Sequence, residues 1–178
     1  MHRLFAGLPV PDEIGEELVD LQKDLAGASW RPVENFHITL RFFGEIEFVT
    51  ARELDHELAG IEARQMQLKL SGVGWFGRRE PHAVWARVVQ DEALAGLASR
   101  CERAARRIGL PAEKRSFIPH VTLAYCHGTP LADAMAWSER FQTFEAGPFW
   151  ADRFHLYESH ITGRGPSRYV AEAEYPLV

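Results

Sequence analysis

The stretch Trp30-Arg31-Pro32-Val33-Glu34-Asn35-Phe36-His37-Ile38-Thr39-Leu40-Arg41-Phe42-Phe43-Gly44 decides the architecture, because its His-x-Thr-x core returns later in the chain as His120-Val121-Thr122-Leu123. Both copies lie in short runs of strand-forming residues. On an extended strand successive side chains alternate faces, so His37 and Thr39 project together, as do His120 and Thr122. Each copy therefore offers one imidazole and one hydroxyl on a common face. A lone strand histidine is ordinarily structural, and a single His-x-Thr arises by chance in many sheets. It is the recurrence that sets these two apart.

The two histidines are 83 residues apart, and the same offset carries the helical stripe Ile14, Leu18, Leu21 and Leu25 onto Leu97, Cys101, Ala104 and Ile108. Both stripes are apolar at helical spacing, with Gly27 and Gly109 as C-terminal caps. The periodicity predicts strands over 3–7, 36–43 and 66–73 in the first half, with a second helix opened by the capping-box pattern Thr50-Ala51-Arg52-Glu53 and ending near Gly60. The second half repeats the order, with strands over 83–89 and 117–125 and helices over 92–108 and 131–141. A closing hairpin follows, 153–159 and 169–173, turned at Gly163-Arg164-Gly165-Pro166. The expected fold is α+β: one bilobal domain over 1–178, with an internal repeat of approximately 3–73 and 83–160. One copy cannot readily bury its own sheet. Two antiparallel-rich sheets with outer helices are therefore expected around a central cleft, with the histidines face to face.

Composition agrees with a folded globular chain. Its 178 residues are 46% apolar, enough for a sizeable core. No apolar run is long enough for a membrane helix, and the opening Met1-His2-Arg3-Leu4-Phe5-Ala6-Gly7-Leu8-Pro9 is too short for a signal-peptide core, so a cytoplasmic monomer is expected. Cys101 and Cys126 form neither a disulfide framework nor a metal-binding spacing. A net charge of −5 argues against sequence-independent adhesion to nucleic acid, so an anionic substrate would need local positive charge.

Two opposed imidazoles suit phosphodiester hydrolysis. That reaction takes a proton from the attacking water and gives one to the leaving oxygen, and histidine titrates close enough to neutrality for either task. A hydroxyl two residues on can donate to a non-bridging phosphate oxygen. This arrangement requires neither metal nor cofactor. No Gly-rich phosphate loop points to ATP, and Gly163 and Gly165 read as turn residues. His2, His56, His82, His127, His155 and His160 lack a comparable pattern and read as surface or structural.

Taken together, these residues resemble the two-histidine phosphoesterase superfamily, and within it the RNA 2',3'-cyclic phosphodiesterases, the LigT-like proteins formerly called 2'-5' RNA ligases. The resemblance covers nearly the whole chain. It runs through Arg3-Leu4-Phe5-Ala6-Gly7-Leu8-Pro9, the stretch 30–44, Gly72-Val73-Gly74-Trp75-Phe76 before Val84-Trp85, Lys114 to Leu123, and Leu156-Tyr157-Glu158-Ser159. It implies metal-independent opening of a 2',3'-cyclic phosphate to a 2'-phosphate. His37 would be the acid toward the leaving 3'-oxygen, His120 the base that activates water, and Thr39 and Thr122 the phosphate holders. The chain departs from the pattern at Tyr125, where family members commonly carry an arginine thought to meet the phosphate.

Strict alternation places Arg41 on the face of His37 and Thr39, where it would compensate for that arginine; the competing reading is a solvated strand-end residue. Phe42, Phe76, Lys114, Arg115 and Tyr125 are candidate RNA contacts, the aromatics by stacking and the cations by steering. Arg78 and Arg79 belong with the cations, and Trp75 with the aromatics. Charged loop residues are ordinarily just solvated, and Trp30 and Trp85 read as core. The partner expected is RNA with a 2',3'-cyclic phosphate end or a cyclic nucleotide, with no membrane. Ligation to a 5'-hydroxyl, endonucleolytic cleavage, and an RNA-end binding module without turnover are the alternatives.

Overall fold

The computed structural model describes residues 1–178. In chain order the strands are β1 (His2–Pro9), β2 (Ala28–Trp30), β3 (His37–Ile46), β4 (Met66–Phe76), β5 (Ala83–Val88), β6 (His120–Cys126), β7 (Glu145–Ala151), β8 (Arg153–His160) and β9 (Arg168–Pro176). The helices are α1 (Asp12–Val19), α2 (Phe48–Ala59), α3 (Glu92–Arg107) and α4 (Leu131–Arg140). The α+β class is as the sequence implies.

Every strand pairing is antiparallel, and the order is β7-β4-β5-β6-β3-β1-β8-β9, with β2 paired to β6. The two expected sheets are joined into one path at a single backbone pairing, Ile38 with Val121, where β3 meets β6. About this seam the order is symmetric: β1 flanks β3 as β5 flanks β6, and β8 and β4 lie one step further out.

Alternating apolar residues explain the core. Leu4, Ala6 and Leu8 on β1, Ile38 and Leu40 on β3, Val84, Ala86 and Val88 on β5, and Val121 and Leu123 on β6 are all buried. Helix α3 packs against β3 and α2, burying Leu94, Leu97, Ala98, Cys101, Ala104 and Ala105 along one stripe. The Asp91 carboxylate caps its first turn by accepting from the Leu94 N–H at 2.9 Å. Helices α4 and α1 pack against β4 and β7 in the other half.

Some local expectations are corrected. The first helix ends at Val19, so Gly27 is not its cap; Leu21 and Leu25 are buried from the turns that follow it. Gly27 instead takes φ +76 in a close approach to the His127 carbonyl. Helix α2 begins at Phe48 after Glu47, with no side-chain cap, so Thr50 lies inside the helix and the capping box does not form. Strands β2 and β7 carry too little alternation to stand out in the sequence. No helix is long and apolar enough to cross a membrane.

Candidate active site

The single β3–β6 pairing creates the site. Because Ile38 stands opposite Val121 in an antiparallel pair, the register sets His37 across from Thr122 and Thr39 across from His120. Each motif histidine thus faces the other motif's threonine, on the sheet face opposite the buried Ile38 and Val121.

Both imidazoles are oriented in the same way. His37 Nδ1 donates to the Asn35 carbonyl at 2.8 Å, and His120 Nδ1 donates to the Ile118 carbonyl at 2.6 Å. A carbonyl can only accept, so each Nδ1 carries its proton and each Nε2 is left for chemistry. His37 Nε2 is 2.8 Å from the Thr39 hydroxyl, its hydrogen-bond partner. The Asn35 side chain is itself buried and donates to the Ser167 carbonyl at 2.8 Å, tying the residue that holds His37 to the turn between β8 and β9.

The walls differ. Around His37 stand Phe5, with ring centroids 4.6 Å apart, Tyr169 edge-on at 5.3 Å, and Tyr157 at 6.0 Å. These rings strip water from the imidazole, and burial pushes the His37 pKa down to about 4, assisted by His120 and opposed by the Asn35 carbonyl. His120 is flanked by Phe76 at 4.9 Å and Trp85 at 5.6 Å, and burial lowers its pKa too, against the pull of the Ile118 carbonyl. Burial likewise raises the Tyr157 hydroxyl to about 12 and raises Tyr169.

Trp85, read from the sequence as core, is buried at 6% exposed and also forms part of this wall, packed over Gly74 with its indole N–H unpartnered in the protein. Phe5, Tyr157 and Tyr169 were not singled out from the sequence; they lack a motif, and only the pairing order β3-β1-β8-β9 brings them to His37.

Arg41 is not on the catalytic face. Thr39 pairs with Gly7 but Arg41 with Ala6, so Leu40 is an extra residue, a β-bulge that breaks the period-two alternation. Arg41 therefore turns inward, 8% exposed, and donates to Glu102 at 2.5 Å, to the Pro111 carbonyl at 2.6 Å and to the Phe42 carbonyl. Strand β6 has the same device: Trp85 pairs with Thr122 and Val84 with Ala124, leaving Leu123 as the extra residue. The bulges return Phe42 and Tyr125, each five residues after its histidine, to the catalytic side. The Arg3 guanidinium lies 4.9 Å from the Phe42 ring centroid, and that of Arg31 4.9 Å from the Tyr125 ring centroid.

Lys114 and Arg115 are not brought to the histidines. They line a depression of about 440 Å³ with Arg41, Phe43 and Leu110, and Arg115 pairs with Glu113 at 3.4 Å. Arg78 and Arg79 are exposed on the turn after β4. The one grouping of three ligand-type side chains is Glu158, His160 and Glu172. It includes neither His37 nor His120, and alternation from Tyr157 turns Glu158 to the opposite sheet face.

Residues 8–85 and 88–166 match the family described as LigT like Phosphoesterase. Among curated proteins, the RNA 2',3'-cyclic phosphodiesterase of Aeropyrum pernix is 35% identical over 136 residues, covering 75% of this chain and 77% of that protein. The protein of the same name from Escherichia coli is 29% identical over 98% of this chain and 96% of its own. Among solved structures, E. coli LigT complexed with 3'-AMP superposes with a TM-score of 0.79 at 26% identity, covering 99% of this chain and 98% of that one.

Proposed function

The chain belongs to the LigT-like phosphoesterase family, and on that premise we propose that it hydrolyses RNA 2',3'-cyclic phosphate ends to 2'-phosphates without a metal. The observation that carries the reading is the crossed register, which gives each imidazole an opposed hydroxyl across the seam, with both Nδ1 atoms tied to carbonyls. Curated relatives that bear this activity as their name, similar over most of the chain, support it.

In this reading one Nε2 takes a proton from water, whose oxygen forms a bond to phosphorus. The bond from phosphorus to O3' breaks, and the other Nε2 gives O3' its proton, leaving phosphate on O2'. Thr39 and Thr122 donate to non-bridging oxygens. The family pattern assigns His37 as the acid and His120 as the base. Because burial favours the neutral imidazole at His37, the acid role requires the substrate's own negative charge to raise its pKa on binding. The Thr39 hydroxyl then exchanges its contact with Nε2 for one with phosphate.

The unit proposed is the whole chain, two halves around one groove, acting as a monomer. Its two cysteines are buried and free, in keeping with a reducing cytoplasm.

The test is incubation in excess chelator with a short RNA ending in 2',3'-cyclic phosphate, followed by identification of the phosphate position. Wild type is expected to yield a 2'-phosphate, and His37→Ala and His120→Ala to lose about 10²-fold or more in turnover. Binding without turnover would replace the reading with an RNA-end binding module. Joining to an added 5'-hydroxyl RNA would show ligation at the same centre.

A further inference from the structure

Two arginines stand at matching points of the two motif strands, and the acid–base chemistry uses neither. Phe42 and Tyr125 are each the residue returned to the catalytic face by a bulge, and each carries a guanidinium at 4.9 Å, from Arg3 on β1 and from Arg31 just after β2. Neither guanidinium has a carboxylate within ion-pairing distance, whereas Arg41, Arg107, Arg115, Arg140 and Arg153 all do. Arg31 is held by Ser29, with Nη2 2.7 Å from the hydroxyl, and Nε and Nη2 at 3.3 and 3.2 Å from the carbonyl. That leaves Nη1 uncommitted. Both arginines act electrostatically on the Tyr169 hydroxyl, as does Tyr125, and the Tyr169 ring is edge-on to His37. By the crossed register, Tyr125 lies beyond Thr122 at the His37 end of the groove, and Phe42 lies beyond Thr39 at the His120 end.

A guanidinium stacked flat on an aromatic ring keeps its N–H edge outward, in a fork that matches a phosphate. Along β6, Tyr125 is the next residue after Thr122 on the catalytic face, beyond the bulge. That is about 7 Å further along the strand, a reach comparable with the step between neighbouring phosphates of an extended nucleotide strand. In a chain of net charge −5, the Arg31 guanidinium, without a carboxylate partner at this distance, forms a local anion site.

We propose that Arg31 on Tyr125 forms a second phosphate subsite that holds the internucleotide phosphate next to the reacting end, so that the protein favours oligonucleotide ends over cyclic mononucleotides. The inference rests on the phosphodiesterase reading. In it Tyr125 is a positioning residue, presenting Arg31 without touching the reacting atoms.

The experiment compares kcat/KM for cytidine 2',3'-cyclic phosphate with that for a tetranucleotide ending in the same group, in wild type and Arg31→Gln. Wild type is expected to prefer the tetranucleotide. Arg31→Gln should lose about 10-fold on it, chiefly in KM, with a change below 2-fold on the mononucleotide, and with a shallower salt dependence by about 0.7 in log–log slope per lost contact. Tyr125→Leu should reproduce the selective loss, and Tyr125→Phe, which keeps the ring under Arg31, should retain the wild-type preference. Equal losses on both substrates would place Arg31 on the reacting phosphate and overturn the subsite; no loss would overturn it as well. If wild type turns over neither substrate, the phosphodiesterase reading fails, and binding of a 3'-phosphorylated tetranucleotide against the 3'-mononucleotide decides the subsite. A selective loss in Arg31→Gln supports it, and unchanged affinity rejects it.

Discussion

Arg41 and Glu102 form an ion pair at 2.5 Å beneath the sheet, joining β3 to α3 on the side away from the histidines. The guanidinium is almost wholly withdrawn from water, and two more of its N–H groups donate to the Phe42 and Pro111 carbonyls. Arg41→Ala would leave Glu102 with only the Glu113 N–H as donor and would strip the Phe42 and Pro111 carbonyls of theirs. The expected cost is about 3 kcal/mol of stability, read as a lower urea midpoint, with kcat/KM per folded molecule unchanged. Loss of activity at unchanged stability would return Arg41 to the substrate.

The pH dependence follows from the two histidines. kcat/KM reports the free protein, where burial lowers both pKa values below 6.5, that of His37 to about 4. One imidazole must be protonated and the other neutral. The profile of kcat/KM should therefore peak between about pH 4 and pH 6.5 and fall toward pH 8. A bound phosphate favours the imidazolium, so the kcat profile should lie to the alkaline side. An optimum of kcat/KM above pH 7 would contradict the desolvated environment of His37.

Stability carries the same signature. The folded His37 pKa of about 4 lies below the ordinary value of 6.5, so between these values the unfolded chain binds more protons and stability rises with pH. Wild type should lose up to about 3 kcal/mol from this group as pH falls from 6.5 to 4. His37→Gln should flatten that part of the curve. Parallel curves for the two proteins, measured by thermal melting, would show that His37 is not desolvated in the fold.

Gly74 holds a place for Trp85. A Cβ at this position would lie 2.5 Å from Trp85 Cη2 and 2.8 Å from Cζ2, so the indole must move, and it packs against Phe76 and His120. Gly74→Ala should cost about 1–3 kcal/mol and lower kcat more than it changes KM. Adding Trp85→Phe should recover part of the stability, a coupling measurable as a double-mutant cycle. Additive losses would mean that the two residues do not share the space.

The motifs, the α3 stripe and the antiparallel α+β class are legible because each follows a simple period, whereas the first stripe runs past the end of α1 at Val19. Ile38 and Val121 point inward between outward-facing neighbours, and α3 and α4 begin and end within a residue or so of where the apolar spacing sets them. What alternation could not reveal was the bulge. Leu40 and Leu123 look like any other core leucine, yet each shifts the phase of everything after it, which is why Arg41 was expected beside Thr39 and is found against Glu102. Trp85 is buried as its apolar surroundings imply, and its place beside His120 is invisible to the sequence because burial and membership of the site coincide where aromatic rings build the wall. Arg3 and Arg31 left a faint trace. Each motif histidine is followed five residues later by an aromatic, Phe42 or Tyr125, a repeated spacing that marks where a cation from a neighbouring strand stacks.

The crossed register at the seam also bears on direction. Rotating the groove by half a turn about the Ile38–Val121 pairing exchanges His37 with His120 and Thr39 with Thr122, and leaves the four reactive groups in an equivalent arrangement. The quartet by itself therefore cannot tell one end of a phosphodiester from the other. Polarity is imposed from outside it, by Phe5, Tyr157 and Tyr169 on one flank and Phe76 and Trp85 on the other. Which imidazole gives the proton is thus settled by how the strand lies between unlike walls, so remodelling a wall, with both motifs untouched, is the route by which this scaffold could exchange the roles of its two histidines.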